Sequence, residues 1–337
     1  MDPHAPFTWI DAERVIRYGP GVAGQAPELL AGRGFETFAL LTTARAAAQA
    51  PGVADAADVV LHVPSGGVPD AAAAVRGDVG GRPLVALGGG RVIDSAKAIG
   101  GADGLPVAAI PTTLSGAELT RFHRMPAGVE QFTLVRPSVV IADADLMASQ
   151  PMPGVAASAL NATAHAVESL YTPLTNPAAQ LCGLQAIELI AQGLGEAEPD
   201  RARLSLGALL AAWASGSAGY AFIHVLCQTT VRVAGTPHAQ TYAVMLPHGL
   251  RLLEPRLPDM LTQVARALGA EDPSPELAAA RAAHLAAQAH VVRLSTLGVA
   301  EDHIPEIVEQ ASGRVELQNT PDAPTPDELD TLLRAAL

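Results

Sequence analysis

The chain has 337 residues, 49% hydrophobic and 16% charged, which suffices for a large core and exceeds what one typical domain needs. That composition excludes a disordered chain, and a formal net charge of −13 with no basic run opposes a nucleic acid partner. Cys182 and Cys227 are too few for a disulfide framework. With neither a secretory leader nor an apolar run of about twenty residues, the expectation is a cytoplasmic protein with no membrane partner.

The first 150 residues alternate short β-rich runs with helical patterns. FALLTT (38–43), VVLHV (59–63), PLVALGGG (83–90), LPVAAIPTT (105–113) and SVVIADADL (138–146) read as strands. Alanine-rich stretches around 44–50, 69–77 and 93–100 read as helices between them, and crossovers of that length favour parallel pairing. GPGVAG (19–24) reads as a turn, since no long apolar strand leads into it. After Pro151-Met152-Pro153 strand signals vanish. Helical periodicity takes over near 154–172, 177–194, 203–231, 238–249, 257–268, 275–297, 304–312 and 326–336. The expected domains are therefore 1–150, α/β and dinucleotide-binding, and 151–337, helical and substrate-binding.

Two stretches of the first domain carry chemistry. In PLVALGGGRVIDSAK, a strand runs into Gly88, Gly89 and Gly90 and then a helix. Such a turn lets backbone approach a ligand and aims the first helical amides at an anion such as a pyrophosphate. A tight strand-to-helix turn explains the glycines equally well, but the spacing to Asp94 and Lys97 strengthens the cofactor reading. For those two, the plain alternative is a capping carboxylate and a solvated lysine. One strand later, AAIPTTLSGAELT places Thr112, Thr113, Ser115 and Thr120 after a strand end, where open α/β sheets bind ligands. Ser115 and Glu118 also match a capping box.

These residues carry a resemblance. GGGRVIDSAK followed by PTTLSGAELT resembles the paired cofactor segments of the iron-containing alcohol dehydrogenase superfamily, written GGGSxxDxAK and PTTxGTGSExT. NATAHAVESLYTPLTNPAAQ (161–180) and HVLCQTTVRVAGTPHAQTYAVMLPH (224–248) are most similar to its maleylacetate reductase branch. The resemblance runs from the RYGPG turn to about residue 270. It implies an α/β N-terminal domain with a Rossmann-like parallel sheet plus an all-α C-terminal domain, the dehydroquinate synthase-like, iron-alcohol-dehydrogenase fold. It also implies NADH or NADPH in the cleft between the domains, a small-molecule substrate and a homodimer. The cofactor set it maps is Gly88, Gly89, Gly90, Arg91, Asp94, Lys97, Thr112, Thr113, Ser115 and Thr120. Arg91 stands where the family has Ser, and Ala117 where it has Ser.

In metal-dependent members an Asp and a His lie four apart on one helix, with a His on a later helix and another fourteen residues beyond. The matching positions here are Asn161, His165, His224 and His238. Side chains four apart share a helix face. An amide in place of the carboxylate leaves a dication's charge uncompensated, so no metal is the preferred expectation, and if one is held, these four residues are its ligands. Gln228 stands where the family commonly has a further His, and glutamine orients a carbonyl but exchanges no proton near neutral pH.

The implied reaction is hydride transfer from a reduced nicotinamide to a small carbonyl or enoate. Asn161, His165, His224, His238 and Gln228 are the expected catalytic cluster, and Arg121, His123 and Arg124 are candidate partners of a substrate carboxylate. The alternative is a diverged member that has lost hydride transfer and performs elimination or cyclisation, or only binds a ligand.

Overall fold

A computed structural model describes residues 2–195 and 198–337. The chain divides into two compact units, Met1–Ser149 and Gln150–Leu337.

The first unit is built on one sheet of seven strands: β1 (Phe7–Asp11), β2 (Arg14–Gly19), β3 (Ala39–Thr42), β4 (Val59–His62), β5 (Leu84–Gly88), β6 (Val107–Pro111) and β7 (Val139–Asp143). Their order is β1-β2-β7-β6-β5-β3-β4, and every neighbouring pair is parallel except the β1–β2 hairpin. Strands β5, β6 and β7 are buried at every residue, because helices cover both faces and leave no reason for polar alternation. Six helices accompany the sheet: α1 (Ala26–Ala31), α2 (Ala44–Gln49), α3 (Pro51–Asp55), α4 (Val68–Arg76), α5 (Gly90–Asp103) and α6 (Ala144–Met147). Leu84 and Ala86 pack with Ala72 and Val75 of α4 and Ile93 and Ile99 of α5. Val85 and Leu87 point the other way, into a core with Leu30 of α1 and Val53 of α3, as the two-residue strand period requires.

The second unit is all-helical among the described residues: α7 (Met152–Glu168), α8 (Pro177–Gly195), α9 (Arg201–Ala218), α10 (Phe222–Ala234), α11 (His238–Leu253), α12 (Pro258–Ala267), α13 (Pro275–Ala286), α14 (Ile304–Ser312) and α15 (Pro326–Ala336), with short 3-10 turns between some of them. Small residues let α7, α8 and α9 approach closely. A Cβ on Gly207 of α9 would lie 2.8 Å from Ile190 Cγ1 and 3.0 Å from the Ala186 carbonyl of α8, and one on Gly183 would lie 2.7 Å from Ser169 Oγ.

Several expectations are corrected here. The β1–β2 hairpin was not foreseen, and it leads an apolar strand into GPGVAG. The turn still stands, because the Asp143 carboxylate accepts from the Gly21 and Ala23 amides and so occupies donors that a phosphate would need. The helical run 203–231 is two helices, broken at Gly219, whose φ of 79° is a conformation open to glycine and strained for other residues. The run 275–297 leaves the α-helix at Ala286 and continues as 3-10 turns. Among the described residues no single helix is long and apolar enough to cross a membrane.

Candidate active site

In the first unit, β5 ends at Gly88 and α5 starts at Gly90, with Gly89 as N-cap and no side chain capping the helix. The opening helical amides thus lack the usual side-chain acceptor. A Cβ on Gly89 would come within 3.0 Å of Thr113 Cγ2, and one on Gly90 within 3.1 Å of Ser115 Oγ. The glycines and the β6 loop therefore form one tight cradle, tied by the Thr112 amide donating to the Gly88 carbonyl at 2.9 Å. Thr113 Oγ1 is buried with no hydrogen-bond partner among the described residues. An open helix start, a close-approach loop and an unpartnered hydroxyl fit a phosphate-bearing nucleotide. Thr120 is buried and Arg91 exposed.

Two members of the mapped set do something else. Lys97 is fully buried rather than solvated. Its ammonium donates to Asp94 Oδ1 at 2.8 Å and to the Ala117 and Phe122 carbonyls at 2.9 and 2.8 Å, so the pair fastens α5 to the 117–122 loop, and Asp94 caps nothing. The capping-box reading of Ser115 and Glu118 also fails, because no helix follows them. Both Glu118 carboxylate oxygens are buried and unpartnered among the described residues, and burial pushes that group up to about 7. The three substrate candidates are not gathered. Arg121 and Arg124 are exposed. His123 spends both ring nitrogens on the loop: Nε2 accepts from the Val135 amide and Nδ1 faces the Arg124 carbonyl.

In the second unit, α7 carries Asn161 and His165 on one face, and α10 carries His224. His165 Nε2 and His224 Nε2 lie 3.3 Å apart, with ring centroids 4.0 Å apart. Each outer nitrogen is anchored: His165 Nδ1 by Ser215 Oγ at 3.0 Å, His224 Nδ1 by Glu168 Oε2 at 2.5 Å. His238 opens α11 at an exposed position. It reaches the cluster through Tyr242, whose ring centroid is 4.8 Å from that of His238 and 4.7 Å from that of His224. Burial, and after it the neighbouring His224 and His238, hold His165 well below the ordinary imidazole range, and burial, His238 and Arg314 do the same for His224. Both imidazoles are neutral near pH 7.

Glu168, which sequence reasoning missed, organises this cluster. It is fully buried at the end of α7 and accepts from the Ala221, Ile223 and His224 amides at 3.0, 2.7 and 3.2 Å. It thereby caps α10, which has no capping side chain of its own, and accepts a hydrogen bond from the His224 Nδ1–H. That leaves the His224 Nε2 lone pair facing His165. Burial pushes Glu168 up to about 7 against those backbone donors; above that pH the carboxylate accepts all four.

A divalent ion is tested by the donors present. Two imidazole nitrogens converge, and Asn161 Oδ1 is buried without a partner among the described residues, but no carboxylate aims at the same point. No three His, Cys, Asp or Glu side chains among the described residues group as an ion would need. Two converging imidazoles and one amide oxygen fall short of the three or four strong ligands that tight sites supply, so the described residues as arranged do not fit a tightly held metal.

Arg314, also missed, reaches the edge of the cluster through Tyr220 and also holds Gln228. Its Nη1 donates to Gln228 Oε1 at 2.8 Å, and its Nη2 to the Tyr220 hydroxyl at 3.0 Å. Tyr220 donates in turn to Glu316 Oε1, and its ring lies 5.7 Å from that of His224.

Comparison with known proteins shows the family. Residues 17–151 match the family model described as iron-containing alcohol dehydrogenase, and residues 155–337 match the one for the C-terminal part of the Fe-containing alcohol dehydrogenase family. The chain is 35% identical over 278 residues to the maleylacetate reductase of Sphingobium indicum, covering 80% of this chain and 74% of that one. It is 31% identical over 339 residues to that of Pseudomonas knackmussii, covering 94% and 92%. The crystal structure of maleylacetate reductase from Agrobacterium tumefaciens superposes with a TM-score of 0.83 at 27% identity, over 99% of this chain and 98% of that one. With the glycine cradle on one unit and the histidine cluster on the other, the chain belongs to the iron-containing alcohol dehydrogenase family and is an oxidoreductase most like its maleylacetate reductases.

Proposed function

We propose that the protein is an NAD(P)H-dependent reductase of a small carbonyl or enoate substrate, resembling maleylacetate reductase and working without a tightly bound metal. The observation that carries this reading is the histidine cluster itself: two neutral imidazoles with their outer nitrogens anchored and their Nε2 atoms convergent. Gly88, Gly89, Gly90, Thr112, Thr113 and Ser115 hold the cofactor phosphates, while Asp94, Lys97 and Thr120 keep the cradle in shape. When bound, the reduced nicotinamide supplies a hydride from C4.

Charge that develops on the substrate is stabilised by hydrogen-bond donors. His165 and the Asn161 amide serve that role, with His238 at the exposed end of the cluster. His224, oriented by Glu168, accepts the His165 Nε2–H in the free protein and fixes its tautomer, so His165 Nδ1 accepts a hydrogen bond from the Ser215 hydroxyl; a bound substrate oxygen takes the place of His224 as acceptor of that Nε2–H. The substrate is then protonated from this hydrogen-bonded set or from water, since Gln228 cannot supply the proton.

The test is oxidation of NADH and NADPH, followed by absorbance, across a panel of enoates, keto acids and aldehydes, using protein purified without chelator. Fluorescence titration runs alongside. Binding of neither cofactor at millimolar concentration overturns the reductase reading, and binding without oxidation across the panel points to non-redox chemistry instead. A stoichiometric Zn or Fe content overturns the metal-free part.

A further inference from the structure

The imidazole pair is built like half of a metal site. His165 Nε2 and His224 Nε2 lie 3.3 Å apart, which is roughly the spacing of two ligands on a tetrahedral ion bonded at about 2.0–2.1 Å. Their outer nitrogens are anchored by Ser215 and Glu168, the kind of support that orients metal-ligating histidines. What is missing is a third strong ligand at the same point. No three His, Cys, Asp or Glu side chains among the described residues group there, although His238 opens the neighbouring helix α11.

Tyr242 accounts for the gap. It lies one turn after His238 on α11 and so shares its face. Its ring packs on both imidazoles, with centroids 4.8 Å from that of His238 and 4.7 Å from that of His224. Such spacing is direct ring contact, so a six-membered ring occupies the room that His238 would need to join the pair. The side chain is fully buried, where a close-packed interior leaves it no second position. Its hydroxyl has no hydrogen-bond partner among the described residues, so packing rather than a hydrogen bond fixes the ring.

We infer that the Tyr242 ring is a wedge that holds His238 out of the imidazole pair. Together with the uncharged Asn161, it keeps divalent cations out of a site whose other supports are in place. This rests on the metal-free part of the proposed function and gives it a cause. It also keeps the His165 Nε2–H for a substrate oxygen rather than an ion.

The probe is Co(II), whose absorption reports a tetrahedral ligand set, with Zn(II) calorimetry alongside, on the whole chain after chelation and dialysis. Wild type, Asn161→Asp, Tyr242→Ala and the double variant are compared. The double variant is expected to bind one ion per chain, about tenfold to a hundredfold tighter than the two single changes predict when combined, as for side chains acting on one site. Tyr242→Phe with Asn161→Asp, which keeps the ring, is expected to match Asn161→Asp alone. Melting curves check folding, and Tyr242→Leu replaces Tyr242→Ala where the larger cavity unfolds the chain. No binding by a folded double variant, additive effects of the two changes, or Asn161→Asp binding as tightly as the double variant overturns the wedge and leaves the metal-free reading standing. One tightly held Co(II) or Zn(II) per wild-type chain overturns both. If the wild type oxidises neither NADH nor NADPH yet the double variant gains the ion as expected, the wedge stands and the reductase reading fails.

Discussion

Glu168→Gln is nearly isosteric, yet it removes two acceptor positions at once. In the native chain Oε1 serves the Ile223 and His224 amides, and Oε2 serves the Ala221 amide and His224 Nδ1. A glutamine oxygen can keep the first pair, but its NH2 group then faces the Ala221 N–H donor to donor. One buried donor left unsatisfied costs about 1–3 kcal/mol, and a unit of this size loses roughly 2–4 °C of melting temperature per kcal/mol. The expected drop is therefore about 2–12 °C. The same NH2 can donate to His224 Nδ1, which moves the ring proton to Nε2 and sets it against the Nε2–H of His165. The pair then loses its ordered direction, and kcat falls more than the stability change explains. Circular dichroism melting and steady-state NAD(P)H oxidation read the two effects separately. A variant with wild-type melting temperature and wild-type kcat refutes the assignment of Glu168 as the residue that positions His224.

Other outcomes follow from the same geometry. Lys97→Met strips three oxygen acceptors of a buried ammonium and is expected to destabilise the first unit by about 2–4 kcal/mol in urea unfolding, with cofactor affinity falling because the 117–122 loop loosens. Gly90→Ala puts a methyl 3.1 Å from Ser115 Oγ. Nucleotide affinity by fluorescence titration is expected to fall well beyond any change in melting temperature. His165 and His224 have folded values below the ordinary 6.5, so the stability they contribute is present above that pH and is lost as pH falls below it. The unfolding free energy is expected to decline by about 1.4 kcal/mol per pH unit for each proton taken up, and His165→Gln should reduce that slope.

The architecture was legible where local signals were strong. The apolar runs LVALG and VAAIP and the apolar start of VVIAD announced buried parallel strands, and Pro151-Met152-Pro153 marked the entry to α7. The β1–β2 hairpin was hidden because its residues include Asp11, Arg14 and Arg17, which look solvated in sequence. In the fold Arg14 is 2% exposed, paired with Asp11 and with the Leu119 carbonyl. The break between α9 and α10 depended on one glycine inside an otherwise continuous apolar pattern.

Within the candidate site, motif spacing pointed to Asn161, His165, His224 and His238, because helix periodicity and family pattern agreed. Glu168 and Arg314 escaped for a different reason. The partners that tie them to the site are 53 to 56 residues away in the first case and 86 to 94 in the second, so no local pattern distinguishes them from solvated charges. A glutamate ending an alanine-rich helix just before a break in the next helix pair is the kind of signal that could have raised the question. For Lys97 the motif was visible but its chemistry was not, since only the three oxygens around the ammonium show that it fastens a loop.

The central claim is hydride transfer from a reduced nicotinamide by a histidine cluster with no resident metal. It is tested most directly by single-turnover oxidation of NADH and NADPH with an enoic dicarboxylate, on protein whose metal content has been determined in the same preparation. The account predicts one cofactor oxidised per substrate reduced, at a metal content far below one ion per chain and unaffected by chelator. Oxidation of neither cofactor, or oxidation that appears only in proportion to bound metal, contradicts it.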